Sequence, residues 1–343
     1  MQPSLKFSRR SFILASLALA ACKSGTSVSE LSGSTMGTSY SIAALDHSGA
    51  LDMQVVKKAV EDSLSRVNVL MSNWDASSEV SRFNTAANTA PIAVSPELAK
   101  VVSAAQDVHI ATEGQFDITL GPVIEAWGFG ARGAHAQTPA PAALNDAMQS
   151  VGTASALSLN GNQLQKNNPN TQIYLSSIGK GFGVDLVADT LKGFGLKDFM
   201  VEIGGDLYVA GLNEGGEKWQ IGIESPDALS RRAYEIASVS NMGMATSGDY
   251  RNYFEQDGLR YSHIIDAQTG RPITHQTASV TVLAENAMLA DAWATGLLAL
   301  GQERGLEVAN KHDLAVMFID RKDTDGKSGF VAATSKRFAQ LQA

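Results

Sequence analysis

Hydrophobic positions along the chain change period several times, and each change predicts an element. Val56, Val60, Leu64 and Val67 recur at steps of three and four, so Leu51–Asn68 reads as an amphipathic helix. Pro96 suits a first helical turn, which tolerates a missing N–H, and Leu98, Val101, Val102 and Ala105 continue one apolar face over residues 96–112. Val184, Val187, Ala188 and Leu191 mark a helix over residues 180–192, and Glu285–Leu300 predicts another. Shorter stretches read as strands: residues 35–45, Ile173–Leu175, Phe199–Ile203, Leu207–Ala210, Trp219–Ile223, Tyr234–Val239, Tyr261–Ile265, Leu314–Ile319 and Phe330–Ala333. Asp117-Ile118-Thr119 leads into a turn or short helical entrance at Gly121-Pro122. Gly130–Ala143, with its two prolines, reads as an irregular surface excursion. Helices and strands mix without a regular βαβ repeat or a dinucleotide glycine fingerprint, which favours an α+β fold over a doubly wound one.

The amino terminus has another pattern. Lys6, Arg9 and Arg10 are the only charges before Lys23, and residues 11–21 are uncharged and rich in Phe, Ile and Leu, the layout of an export signal. As a helix that run rises about 16 Å, half of a hydrocarbon core of about 30 Å, too little for a permanent span. Leu19-Ala20-Ala21-Cys22 resembles the bacterial lipobox. Residues 1–21 are therefore expected to be removed and Cys22 to carry a diacylglyceryl thioether; the alternative is an ordinary secretory signal with an incidental cysteine. Cys22 is the only cysteine, so no disulfide competes for its thiol, as suits an oxidising compartment. Ser8-Arg9-Arg10-Ser11-Phe12-Ile13 further resembles the twin-arginine export motif, whose pathway carries folded proteins. Residues 22–33 suit a flexible tether, and residues 34–343 form a body large enough for one domain or two intimately packed lobes.

Charge narrows the partners. The formal net charge is −8 and no basic run is present, which argues against nucleic acid. A phosphorylated small molecule stays open, because a metal ion can neutralise phosphate locally.

Four local patterns can carry chemistry. Asp291 and Thr295 stand four residues apart, which places both oxygens on one helix face, close enough to share a hard cation or simply to make local hydrogen bonds. Ser176-Ser177-Ile178-Gly179-Lys180-Gly181 puts a turn and a cation before a helix, either as an anion cradle or as a glycine-rich connection with a solvated lysine. His263 can move a proton near neutral pH, or serve as a hydrogen-bonded strand residue above a turn at Asp266. Trp74 can stack on a planar ring or lie half-buried as packing.

Taken together, these segments resemble the ApbE family of flavin transferases over nearly the whole mature chain. The matching stretches are Gly33-Ser34-Thr35-Met36-Gly37-Thr38, Met71-Ser72-Asn73-Trp74 and Ser78-Glu79-Val80-Ser81-Arg82-Phe83-Asn84. They continue through Phe116-Asp117-Ile118-Thr119-Leu120-Gly121-Pro122, Trp127-Gly128-Phe129, Ser177-Ile178-Gly179-Lys180-Gly181 and Glu202-Ile203-Gly204-Gly205-Asp206. Thr246-Ser247-Gly248-Asp249-Tyr250, His263-Ile264-Ile265-Asp266 with Gly270-Arg271-Pro272, and Ala290-Asp291-Ala292-Trp293-Ala294-Thr295 close the series.

The resemblance implies a division of labour. Met36 and Trp74 enclose the flavin, Glu202 and Gly205 lie by the nucleotide cleft, and Asp117, Lys180, Thr246 and His263 are further cofactor contacts. Asp291, Thr295 and the main-chain carbonyl of Gly179 hold magnesium, while His263, Asp291 and Lys180 are the candidate catalytic groups. Gly179 stands where the family commonly has alanine, and Trp74 where it commonly has tyrosine. The implied reaction moves the FMN half of FAD to a Thr or Ser hydroxyl of an acceptor protein and releases AMP. The alternatives are an FAD pyrophosphatase giving FMN and AMP, and a flavin-binding or cofactor-delivery lipoprotein without catalysis. The implied partners are exported or periplasm-facing acceptors carrying a flavinylation motif, including respiratory electron-transfer subunits. The implied location is the periplasmic side of the inner membrane through the lipid anchor. Outer-membrane sorting is the alternative, because Lys23 does not resemble the aspartate retention signal.

Overall fold

The computed structural model describes residues 28–130, 137–227, 232–324 and 327–343. The export segment and Cys22 lie outside the described residues, as does the middle of the 130–143 excursion. Strands β1 (Val28–Thr35) and β2 (Thr38–Leu45) form an opening hairpin, followed by α1 (Met53–Met71) and α2 (Glu79–Thr85). A small antiparallel sheet of β3 (Ile92–Ala93), β4 (Leu157–Asn160) and β5 (Gln163–Lys166) flanks α3 (Pro96–Ala111), α4 (Gly121–Ala126), α5 (Pro141–Met148) and α6 (Thr153–Ala156). Helix α7 (Gly179–Gly193) leads to hairpin β6 (Asp198–Ile203) and β7 (Asp206–Ala210), then to β8 (Trp219–Glu224) and β9 (Ala233–Val239). Next come β10 (Met242–Gly248) and two short hairpins, β11 (Tyr253–Gln256) with β12 (Leu259–Ser262) and β13 (Ile265–Asp266) with β14 (Arg271–Pro272). The chain ends with β15 (Thr277–Ala284), α8 (Ala287–Leu300), α9 (Gln302–Lys311), β16 (Ala315–Thr324), β17 (Lys327–Thr334) and α10 (Lys336–Gln342).

The central sheet has eight strands in the order β1-β2-β6-β7-β10-β15-β16-β17. Every neighbouring pair is antiparallel, which establishes the α+β class. Strand alternation sends Val201, Ile203, Ala245, Val280 and Val282 to the face covered by α1, α3, α7 and α8. Met244, Leu283, Met317 and Ile319 go to the other face, under β8, β9 and α10. The predicted stripe of α1 is buried at Val56, Val60, Leu64 and Val67, each stabilising the helix by roughly 1.5–3 kcal/mol relative to exposure. Asp52 and Ser95 cap α1 and α3 by accepting backbone N–H bonds from Gln54 and Leu98. Among the described residues, no helix is long and apolar enough to cross a membrane.

Four readings change. The strand expected over residues 35–45 begins at Thr38 as β2, because Met36 and Gly37 take φ of +46° and +73° and reverse the chain; its hairpin partner β1 takes in residues 28–33, part of the stretch expected as flexible tether. Tyr261–Ile265 breaks at His263-Ile264 between β12 and β13. The 130–143 excursion ends early, since Pro141 opens α5. Ile173–Leu175 joins no strand ladder; side-chain amides satisfy much of its backbone. Asn73 Nδ2 and Asn84 Nδ2 donate to the Ile173 carbonyl at 2.7 and 2.8 Å, and the Ile173 and Leu175 N–H groups donate back to Asn84 Oδ1 and Asn73 Oδ1.

Candidate active site

One end of the sheet gathers the polar groups. Register places the β1–β2 turn, the β6–β7 turn and the last residues of β10 together at that end. Gly204 and Gly205, with φ of +59° and +102°, make a two-residue turn that side chains rarely tolerate, and Asp206 starts β7 opposite Ile203. From the helix layer, Lys180 Nζ donates to Asp206 Oδ2 and lies 3.9 Å from Asp291 Oδ1. The Gly181 N–H donates to Asp291 Oδ2 at 3.1 Å. Asp206 and Asp291 are only 2% and 3% exposed, so two nearly dry carboxylates share one ammonium whose side chain is half-buried.

That crowding sets the protonation. Burial pushes the Asp291 carboxyl up, Asp206 pushes it further, and Lys180 and the Gly181 N–H pull it back. Burial opposes charge on Lys180, but Asp206 and Asp291 outweigh it and hold the ammonium above the ordinary lysine range. Glu202 is raised by burial, against the Gly205 N–H at 2.6 Å and the Ser41 hydroxyl at 3.3 Å. The cluster thus holds more carboxylate than cation, a donor set that fits a hard divalent ion. Among the described residues no three His, Cys, Asp or Glu side chains converge, so hydroxyl, carbonyl or phosphate oxygens would have to complete such a shell.

A hydroxyl pair extends the cluster. Thr295, one turn beyond Asp291, shares a hydrogen bond with Ser247 Oγ at 3.0 Å. His263 lies half-buried beyond them, with Nδ1 3.0 Å from the Asn252 carbonyl and its ring at the edge of Phe129. A carbonyl only accepts, so Nδ1 carries the proton and Nε2 keeps its lone pair. Burial lowers the imidazole pKa and the Lys180 charge adds to that, while the Asn252 carbonyl and Asp249 act the other way. His263 is therefore neutral near pH 7.

The sequence pattern of the ApbE family matches residues 36–318. The chain belongs to the ApbE family. It is 43% identical over 322 residues to the FAD:protein FMN transferase of Vibrio cholerae, covering 94% of this chain and 96% of that one. Identity to the Haemophilus influenzae protein of the same description is 44% over 333 residues, covering 95% and 94%. The solved flavin transferase ApbE from Vibrio cholerae superposes with a TM-score of 0.84 at 41% identity over 92% of this chain and 99% of that one. Pseudomonas stutzeri flavinyl transferase ApbE gives the same TM-score at 34% identity over 92% and 97%.

Placed on this ApbE fold, the expected residues divide. Lys180, Asp291, Thr295, Glu202, Gly205 and His263 come to the one sheet end. Met36 sits in the β1–β2 turn there, and its thioether packs on Gly183 of α7. Trp74 is 66% exposed beside the Asn73 clamp, so its ring is open to a planar ligand.

The other three residues are set differently. Thr246 points to the opposite sheet face, where its hydroxyl bonds Thr281 at 2.8 Å; the neighbouring Ser247 faces α8. Asp117 is buried with its oxygens on Thr119 and Thr153, at 2.7 Å and 3.0 Å to their N–H groups, so its carboxylate braces the loop. Gly179 is the first residue of α7, and a carbonyl oxygen has two lone pairs, so a helical hydrogen bond still leaves it one for a cation. Asp206 and Ser247 are the site residues that the pattern of the sequence had not singled out.

Proposed function

We propose that the chain is an FAD:protein FMN transferase that moves the FMN half of FAD to a Thr or Ser hydroxyl of an acceptor protein and releases AMP. The observation that carries this reading is the Lys180–Asp206–Asp291 cluster, with both carboxylates buried, beside the Thr295–Ser247 hydroxyls, in a chain matched over 94% of its length by a relative of that description. In the reaction, a bond forms between the acceptor oxygen and the FMN-side phosphorus as the pyrophosphate bridge breaks towards AMP. His263 takes the hydroxyl proton at Nε2, the nitrogen left free by its bond to Asn252. Lys180 neutralises phosphate charge through its ammonium. Trp74 stacks on the flavin and Met36 lines its other side.

Asp291, Thr295 and the Gly179 carbonyl are the groups that would hold magnesium. Bound there, the ion supplies charge neutralisation for the pyrophosphate. Asp206 keeps Lys180 and Asp291 in place through its contacts with both.

The test combines the mature protein with FAD, magnesium and an acceptor peptide. An FMN-mass adduct with AMP supports transfer; free FMN with AMP means hydrolysis, and intact FAD means binding alone. We further infer that Cys22 anchors the chain on the periplasmic side of the inner membrane, where exported acceptors arrive. Labelled palmitate incorporation lost in Cys22→Ala, followed by membrane fractionation, checks the anchor and its location.

A further inference from the structure

Behind the hydroxyl end of the site lies a recess of about 190 Å³ whose lining includes Asp249, Arg260, Ser262, His275 and Arg321. Its hydrogen-bonding inventory is unbalanced. Arg321 holds Asp249 through both terminal nitrogens, one at 2.9 Å, and Arg260 donates to the Asp249 carbonyl and reaches its carboxylate at 3.5 Å. Two guanidiniums therefore share one carboxylate, leaving an excess positive charge on a protein whose net charge is −8. Arg260 is further fixed with its guanidinium 4.2 Å above the Tyr253 ring.

Two more donors belong to residues of its lining. The Thr277 N–H donates to His275 Nδ1 at 3.3 Å, so the imidazole proton sits on Nε2. That Nε2–H is buried and has no acceptor among the described residues. Ser262, only 4% exposed, likewise has an unpartnered hydroxyl. A small space lined by surplus donors and one net positive charge calls for an anion with several lone pairs, and arginine forks match a carboxylate or phosphate. The volume suits one acidic side chain and is below that of pockets that enclose drug-sized ligands.

Its position identifies the partner. Ser262 adjoins His263, Asp249 lies two residues beyond Ser247, and the Asp249 charge acts on the His263 imidazole, so the recess neighbours the place where an acceptor hydroxyl must arrive. We propose that it receives a carboxylate side chain of the acceptor polypeptide and thereby sets which hydroxyl is presented. This inference rests on the transferase reading above.

The test measures binding separately from transfer. Fluorescent peptides with one threonine carry a glutamate at each neighbouring position in turn, with glutamine counterparts, and are titrated against the wild type, Arg260→Met and Arg260→Lys. At one position glutamate should bind the wild type about tenfold more tightly than glutamine, a difference of about 1.4 kcal/mol. Arg260→Met should abolish that preference with FAD affinity unchanged, Arg260→Lys should keep part of it, and inorganic phosphate should compete with the glutamate peptide. An undiminished preference in folded Arg260→Met, a parallel loss of FAD affinity, or phosphate competing with FAD instead would overturn the proposal. Peptides that bind with this preference but gain no FMN would sink the transferase reading and leave the carboxylate recess standing.

Discussion

Gly181 lies so close to Ala287 that a Cβ on the glycine would stand 2.2 Å from the alanine carbonyl oxygen. Helices α7 and α8 therefore meet backbone to backbone. This approach brings the Gly181 N–H to Asp291 and Lys180 into the cluster. Gly181→Ala must part the helices, and overpacking of this kind costs typically 1–3 kcal/mol. Chemical denaturation should show that loss, and FMN transfer should fall more steeply than stability alone explains. A variant of wild-type stability and rate would refute this account of the contact.

Asp206 should matter although it was not foreseen as a ligand or a base. Its carboxylate holds Lys180 beside Asp291. Asp206→Asn removes a charge from that arrangement, and loss of such a supporting partner costs about 10–100-fold in metal affinity or activity. Titration with manganese, read by electron paramagnetic resonance, separates this from a loss of FAD binding. Asp291→Ala should reduce metal-dependent turnover at least as far; unchanged turnover at limiting magnesium would remove Asp291 from the proposed ligands.

The two faces of β10 give a register test. Thr246→Val breaks a hydroxyl pair with Thr281 on the far face and should cost about 1 kcal/mol of stability with little effect on transfer. Ser247→Ala alters the Thr295 side and should reduce transfer with little effect on melting. The opposite ranking in steady-state kinetics would reverse the assignment.

His263 should act as a neutral base. Because burial holds its pKa below the ordinary imidazole value of about 6.5, the acid limb of kcat should lie below that pH. His263→Gln should slow transfer on the order of 100–10,000-fold, remove that limb, and leave FAD binding intact. An identical pH profile in the variant would assign the limb elsewhere.

Asp185 offers a stability test. Its carboxylate accepts the Ala287 and Met288 N–H groups at 2.8 and 2.9 Å, yet burial still pushes its pKa from 3.8 up to about 6. The folded state thus favours the protonated carboxyl more than the unfolded chain does. The associated stability, roughly 2–3 kcal/mol, is fully present below about pH 3.8 and is lost as pH rises through about 6. Denaturant unfolding of wild type and Asp185→Asn across that window should show this slope in the wild type alone.

The apolar period made α1, α3 and α7 legible because each buries one stripe, whereas α8, buried on nearly every side, shows as a long apolar run in which the four-residue spacing of Asp291 and Thr295 survives folding unchanged. Asp206 was obscured because it looks like the first residue of another strand. Its place follows only once Ile203-Gly204-Gly205-Asp206 is read as a two-residue hairpin turn, a signal the two glycines carried. Choosing Thr246 over Ser247 needed the phase of β10, which its own apolar residues do not give: Met244 and Ala245 are both buried, on opposite faces. The Ile173–Leu175 run has the composition of a strand, and nothing local announces that Asn73 and Asn84, about a hundred residues earlier, complete its hydrogen bonding.

Those two amides have a mechanical consequence. A segment paired with a neighbouring strand can slip by a residue and still find partners, whereas one gripped by two fixed side chains has a single seat. Asn73 adjoins Trp74, and the seated segment runs directly into the turn before Lys180. The aromatic surface and the turn before Lys180 are thus attached to the same short rail. For a ligand that is flat at one end and anionic at the other, that rail works as a fixed gauge of length.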